Sequence, residues 1–172
     1  LVPRLTELSD SAAESLSKSE GVGLTLDGLT ELSDAAAESL SNFQGFHITL
    51  NGLTELSDAA AESLSKFEGD HLCLNGLTAL TDAVAESLSD FRGDSTLELN
   101  GLTELSDAAA ESLSTFQVDS LGLGLTELSD NAAERLRKYR GKLQLNGLTE
   151  LSDAVAESLG KHQGVLSLIN LK

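Results

Sequence analysis

The sequence LTELSDAAAESL occurs three times without change, at residues 29–40, 53–64 and 102–113. A looser form, LTxL followed by Ser or Thr and then Asp, occurs seven times and ends at Asp10, Asp34, Asp58, Asp82, Asp107, Asp130 and Asp153. Successive copies are therefore 23 to 25 residues apart. Such a short, regular period is typical of repeat architectures, in which neighbouring units stack to bury a continuous core. This repeat constrains the fold more than any single motif does.

Each copy begins with a segment that alternates apolar and polar residues. LCLNGL (72–77), LELNGL (97–102) and LQLNGL (143–148) are examples. A period of two predicts a strand with one buried face.

A helical period follows in the segment LSDAAAESLSKFEG. Ala60, Leu64 and Phe67 lie at i, i+4 and i+7, on one helical stripe. Ser57 or Asp58 is expected to cap the N-terminus of this helix. A glycine two residues after the aromatic position is expected to adopt a left-handed C-terminal cap, at Gly45, Gly69, Gly93, Gly141 and Gly164.

A unit of this size cannot bury its own apolar face, so the units are expected to stack. The prediction is an α/β fold, a right-handed β/α solenoid with parallel strands about 4.8 Å apart. Because helices are wider than strands, the strands should line the concave face and the helices the convex face. Residues 1–172 are expected to form a single solenoid of about seven repeats, with an eighth strand at 166–168, and to be a fragment of a longer array.

The consensus LxLNGLTxLSDAAAESLxxFxG resembles the leucine-rich repeat (LRR) family, and is most similar to bacterial members with repeats of about 24 residues. The resemblance covers essentially the whole chain. It implies a curved β/α horseshoe and, most often, protein–protein recognition through the concave strand face. The chain departs from the family at Leu77, which stands where the family usually has Asn, while Asn75 lies two residues earlier. Thr78 and its equivalents are therefore expected to hydrogen-bond the backbone of the turn.

Charge and composition exclude several classes of function. A formal net charge of −17 argues against binding to nucleic acid or to anionic membranes, and favours a basic partner. The single cysteine, Cys73, cannot form an internal disulfide, so no oxidising compartment is required. No signal peptide or transmembrane segment is visible, which leaves the localisation open. The opening residues LVPR resemble a protease-cleavage tag.

The copies differ mainly at the outward positions of the predicted strands. One outward row is Gly23, His47, His71, Thr96, Ser120, Lys142 and Val165. The next is Thr25, Thr49, Cys73, Glu98, Gly122, Gln144 and Ser167. Exposed positions that vary while the rest of the repeat is constant are typical of a recognition surface, although neutral drift gives the same pattern. The residues predicted to contact a partner are His47, Thr49, His71, Cys73, Thr96, Glu98, Lys142 and Gln144.

Two metal hypotheses arise from these patterns. His47 and His71 should be neighbours on adjacent strands, with Cys73 two residues further along and Glu98 beside it, which is a weak candidate for zinc. The spacing matches no zinc motif. The recurring pair of an Asp and a Glu four residues apart could bind calcium, but acids in the first turns of a helix also suit the helix dipole. No metal and no cofactor is therefore expected.

Three further rows of equivalent residues have structural explanations. A Glu row in the turn before each helix is either a solvated rim or a docking surface for a basic partner (Glu7, Glu31, Glu55, Glu104, Glu127 and Glu150). A Thr row could present hydroxyls to a flat ligand, but threonine in a tight turn usually bonds the backbone (Thr6, Thr30, Thr54, Thr78, Thr103, Thr126 and Thr149). An aromatic row lies three residues after a leucine that is expected to be buried, which is the spacing of core residues on a helix (Phe43, Phe67, Phe91, Phe116 and Tyr139). His162 stands at the aromatic position in the last copy.

The sequence favours a non-catalytic protein-binding module that presents its concave strand surface to a protein. An enzyme is not expected, because an open face offers no pocket that excludes water for Cys–His chemistry. The alternative is a structural spacer, or a designed or duplicated repeat scaffold without a dedicated ligand, since near-identical copies have had little opportunity to specialise.

Self-association is the first testable expectation. Neither end of the repeat array carries an atypical polar cap, so exposed solenoid ends should adhere to each other. End-to-end dimers or larger stacks are expected at high concentration. Light scattering on the chain at millimolar concentration measures this, and a strictly monomeric mass would contradict it.

Overall fold

A computed structural model describes residues 5–91 and 95–172, and in those ranges helices and strands alternate along the chain. The seven helices are α1 (Asp10–Ser17), α2 (Asp34–Ser41), α3 (Asp58–Leu64), α4 (Asp82–Leu88), α5 (Asp107–Ser114), α6 (Asp130–Leu136) and α7 (Asp153–Leu159). The seven strands are β1 (Gly23–Thr25), β2 (His47–Thr49), β3 (His71–Cys73), β4 (Thr96–Leu99), β5 (Ser120–Leu123), β6 (Lys142–Gln144) and β7 (Leu166–Ser167). None of these helices is long and apolar enough to cross a membrane.

The strands form one parallel sheet whose spatial order follows the chain, from β1 to β7. Each helix packs against the helix of the next copy. The α/β repeat with one open parallel sheet is thus confirmed, and its architecture is consistent with a solenoid. The strand predicted as the eighth, at residues 166–168, is present as β7 (Leu166–Ser167). It is the seventh strand of the described residues because no strand precedes α1 in them. The predicted tag at residues 1–4 lies outside the described residues.

One continuous apolar core lies between the sheet and the helices. In the third copy, the inward strand residue Leu72 and the helix residues Ala60 and Leu64 are fully buried. The aromatic row is buried as predicted, with exposed fractions of 6% or less. The rings of Phe43 and Phe67 stack with centroids 6.4 Å apart, so the aromatic row joins consecutive copies.

Every helix begins at a Ser or Thr cap whose hydroxyl accepts a hydrogen bond from the backbone N–H three residues later. Of the two predicted caps of α3, the structure selects Ser57. The cap hydroxyl also donates to the first-turn aspartate of the preceding helix, as Ser33 does to Asp10 over 2.6 Å. We call this series the cap row. Its bonds are Ser33–Asp10, Ser57–Asp34, Ser106–Asp82, Ser129–Asp107 and Ser152–Asp130.

A second polar series, the Asn row, consists of Asp27, Asn51, Asn75 and Asn100. Each side-chain oxygen accepts the backbone N–H of the next member, over 3.0, 3.0 and 2.8 Å. The threonine row was predicted to satisfy the turn instead. In the described part of the chain, only Thr126 of that row donates its hydroxyl to a backbone carbonyl, that of Thr103. The prediction for the threonines was otherwise wrong, because their side chains point to solvent while the asparagine amide reaches the next copy.

The glycines after the aromatic row are not left-handed caps. Helix α3 ends at Leu64, its cap Ser65 is right-handed, and Gly69 has no left-handed φ. Gly45, Gly141 and Gly164 likewise have none, and Gly93 lies outside the described residues. A Cβ atom at Gly69 would lie 2.1 Å from Cζ of Phe67 and 2.6 Å from the carbonyl oxygen of Gly45. Glycine stands there because the backbones of adjacent copies approach closely.

The two rows predict different costs of substitution. Asn75→Ala removes the acceptor of the Asn100 N–H and a donor to Glu98, so we expect it to lower the free energy of unfolding by about 1–2 kcal/mol. Thr78→Val, whose exposed hydroxyl bonds no described residue, should change it by less than about 0.5 kcal/mol. Urea unfolding followed by circular dichroism measures both. An equal loss in the two variants would show that the turn depends on the threonine.

Candidate interaction surface

The strand face is the side of the sheet that does not pack on the core. Side chains alternate along a strand, so Leu72 of β3 and its equivalents in the other strands lie in the core, and the residues directly before and after them lie on the strand face. The register pairs His47 with His71 and His71 with Thr96. In the second row it pairs Thr49 with Cys73, which pairs in turn with Glu98. The structure therefore brings these predicted contact residues onto one surface at the spacing of adjacent strands.

The imidazole of His47 lies over Gly23 on the neighbouring strand β1. A Cβ atom at Gly23 would be 2.0 Å from both Cε1 and Nε2 of His47. The ring is therefore directed towards β1 and away from His71, which is itself exposed. Among residues 5–91 and 95–172, no three His, Cys, Asp or Glu side chains are arranged to hold a metal ion. The weak zinc candidate of His47, His71 and Cys73 consequently has no support in the geometry.

Cys73 is half-buried and its thiol is protonated at neutral pH. Burial is the main cause that raises the pKa of Cys73 to about 12, followed by the charge of Glu98, a side-chain hydrogen bond with Glu98 and the charge of Asp27. Only the thiolate is a good nucleophile or metal ligand. An Oε2 atom of Glu98 accepts a hydrogen bond from Nδ2 of Asn75 over 3.0 Å. This cluster thus connects the strand face to the Asn row and is unsuited to nucleophilic chemistry.

The other end of the strand face combines polar side chains on β5 and β6 with the exposed apolar residue Val165. Gln144 donates from Nε2 to the hydroxyl of Ser120 over 2.9 Å. Lys142 is exposed and forms no ion pair with any described residue. Among the predicted contact residues, Lys142 is therefore the cation that is available to form an ion pair with an acidic group of a partner.

Sequence reasoning missed an apolar pair beside the strand face. Val22 and Phe46 are 67% and 60% exposed, and each stands directly before a strand. The backbone N–H of Phe46 donates to the carbonyl oxygen of Val22 over 2.7 Å, so the two residues lie on adjacent copies. A signal was available in the sequence, because the residue directly before each strand varies between copies and is an aspartate, Asp70 or Asp119, in two later copies. Exposed apolar residues next to variable polar ones are common in protein-binding surfaces.

Charge is distributed unevenly between the surfaces of the molecule. The ion pairs of the described residues all involve a glutamate within a helix, namely Glu14–Lys18, Glu62–Lys66, Glu111–Arg135, Glu111–Lys138, Glu134–Arg137 and Glu157–Lys161. The Glu row in the turns before the helices is exposed and takes part in none of them. The rim formed by these turns is therefore acidic, and none of the ion pairs of the described residues neutralises its glutamates.

The protonation of Cys73 gives a kinetic prediction. With a pKa of about 12, Cys73 has little thiolate at pH 8, and iodoacetamide should alkylate it about 100- to 1000-fold more slowly than N-acetylcysteine. Glu98→Gln removes a negative charge that raises the pKa of the thiol, so it should speed alkylation several-fold. Glu104→Gln, which removes the same charge away from the strand face, should leave the rate unchanged. A wild-type rate equal to that of N-acetylcysteine would contradict the prediction.

Comparison with known proteins gives no family for this chain. No family model matches it, and no curated protein matches it significantly. The strand face and the acidic rim are therefore the features of the molecule that bear on its function.

Proposed function

We propose that this chain is a non-catalytic protein-binding module of the LRR type, a right-handed solenoid whose strand face is concave and holds a protein partner. One observation carries the proposal. The inward positions of the strands are uniform, whereas the outward positions change in charge, size and polarity from copy to copy. Leu72, Leu97 and Leu143 are fully buried equivalents, while the residues that precede them are His71, Thr96 and Lys142.

The shape and chemistry of the strand face favour a protein over a small molecule. The face extends across seven strands and is lined by polar side chains at regular spacing, rather than closing around an enclosed volume. Val22 and Phe46 add an exposed apolar edge beside His47. Aromatic residues are among the side chains that contribute most to protein interfaces. Phe46 is therefore an additional contact in this proposal.

The site chemistry gives no support to an enzyme. Cys73 is protonated, and the ring of His47 is directed away from His71. Nucleophilic catalysis needs a nucleophile and a base within hydrogen-bonding reach of each other. A binding surface makes no such demand, so recognition is the function that these side chains support best.

A spacer or scaffold without a ligand is the second candidate. Residues 29–40, 53–64 and 102–113 are identical, as expected after recent duplication or consensus design. Some outward side chains also already have partners within the chain, such as Gln144 with Ser120. These contacts would stabilise an array that binds nothing.

Binding experiments separate the two candidates. The wild-type chain and a strand-face variant are immobilised, and the proteins that each retains from a source-cell lysate are identified. The retained protein is then purified and titrated calorimetrically. We expect at least tenfold weaker binding to the strand-face variant, which carries His47→Ser, His71→Ser, Glu98→Ser and Lys142→Ser.

A matched control carries four serine substitutions at exposed positions outside the strand face, Lys18→Ser, Glu38→Ser, Gln44→Ser and Gln117→Ser. Both variants remove one acid and one base, so their formal net charge stays the same. The control should bind as the wild type does. If the wild type and both variants retain the same proteins, or none, the spacer becomes the better description.

A further inference from the structure

The fourth copy departs from the consensus at two nearby positions on the acidic rim. Ala79 stands where every other copy has the glutamate of the Glu row, and Thr81 caps α4 where every other helix has a serine cap. The neighbouring third copy keeps the consensus, with Glu55 and Ser57. The rim is therefore altered at one junction, between α3 and α4.

A cavity of about 340 Å³ lies at this junction. Its lining combines the apolar side chains of Leu56, Leu77 and Val84 with the small side chain of Ala79 and with Glu55. Pockets that hold ligands start at about 300 Å³ and are mostly apolar with a few polar groups. A cavity of about 530 Å³ also lies at the preceding junction, where Glu31 and Glu55 are both present, but neither Leu53 nor Ala60, the equivalents of Leu77 and Val84, lines it. Ala79 therefore distinguishes this cavity by its more apolar lining and not by the presence of the space.

The cap row is interrupted at the same place. The hydroxyl of Thr81 accepts the N–H of Val84 over 3.1 Å, as a helix cap does. It does not donate to Asp58, although the equivalent bond forms at the other five junctions between consecutive helices. The cavity thus coincides with a hydrogen-bond donor and a carboxylate that lack the partners found elsewhere in the row.

The charge around the cavity is negative. Glu55, Asp58 and Asp82 lie in the two segments that meet here, residues 50–58 and 74–82, and neither segment contains Lys or Arg. Glu55 forms no ion pair with any described residue. An anion would be attracted by the helix N-termini, but the first-turn aspartates already occupy that position and would repel it. Charge complementarity therefore favours a cation.

We infer that this cavity receives a Lys or Arg side chain of the partner protein, an inference that rests on the proposed function for the source of that side chain. The alkyl stem packs on Leu56 and Ala79, above the buried side chains of Leu77 and Val84, and the charged head binds Glu55. Lysine and arginine bury their methylene groups against apolar surface while their charge stays near water or a carboxylate. The partner thus extends from the strand face to the acidic rim.

The test uses n-butylguanidinium as the probe and n-butylurea as its neutral analogue of the same shape. Each is titrated into the isotopically labelled chain at low salt, and the backbone amide shifts are followed by NMR. We expect saturable shifts with n-butylguanidinium at Thr54, Thr78, Ala79 and Thr81, with a Kd on the order of 1–10 mM as suits a ligand of this size. n-Butylurea should bind at least threefold more weakly.

Two substitutions probe the two halves of the site. Glu55→Gln removes the carboxylate and should weaken n-butylguanidinium binding at least threefold. Glu104→Gln is its matched control, because Glu104 lies in the identical segment 102–113 but does not line the cavity, and it should bind within twofold of the wild type. Ala79→Leu fills the cavity without changing the charge and should abolish the localised shifts. If Ala79→Leu fails to fold by circular dichroism, the two glutamate variants still decide.

The inference is overturned if n-butylurea binds as tightly as n-butylguanidinium, which would make the cavity a site for neutral apolar groups. It is also overturned if Glu55→Gln and Glu104→Gln behave alike, or if shifts spread evenly along the Glu row. Failure here leaves the proposed function standing, because the probe titration involves no contact with the strand face. Failure of the strand-face experiment would not remove a cavity that binds the probe.

Discussion

The contact between consecutive copies is the interaction on which the rest of the structure depends. A single copy has one short strand and one helix of seven or eight residues, too little to bury its own leucines. Once copies stack, Leu72 and Leu97 are fully buried and the rings of Phe43 and Phe67 stack on each other. The neighbour supplies what each copy lacks, so stability is distributed along the array rather than concentrated in one centre.

Stacking also explains why so many polar residues are invariant. The cap row links consecutive helices except at the junction of α3 and α4, the Asn row links the turns from Asp27 to Asn100, and glycines such as Gly69 allow backbones to come close. The Ser, Asp, Asn and Gly of the consensus are thus occupied with contacts between copies. Residues with such structural roles are not available for specific recognition. Specific contacts with a partner would therefore come from the positions where the copies differ.

Those differences fall in two regions. The strand face collects the variable outward residues and the exposed edge at Val22 and Phe46, and the rim contains one altered junction at Ala79 and Thr81. Strand alternation alone predicted which residues share the strand face, because the period of two decides which side each side chain takes. It did not predict that His47 lies over Gly23, nor that Phe46 is exposed, since both depend on how adjacent copies meet.

Local periodicity and the unpaired backbone groups at a helix end were enough to predict the α/β repeat, the position of the helix caps to within one residue and the burial of the aromatic row. Only the tertiary structure decided what lies between copies. It showed that asparagines rather than threonines bond the next turn, that Gly69 makes room for a neighbouring carbonyl, and that a cavity opens beside Ala79. The physical reason is that these features depend on close approach between residues about 24 positions apart, as in the Asn51–Asn75 bond, and local patterns carry no information on that distance.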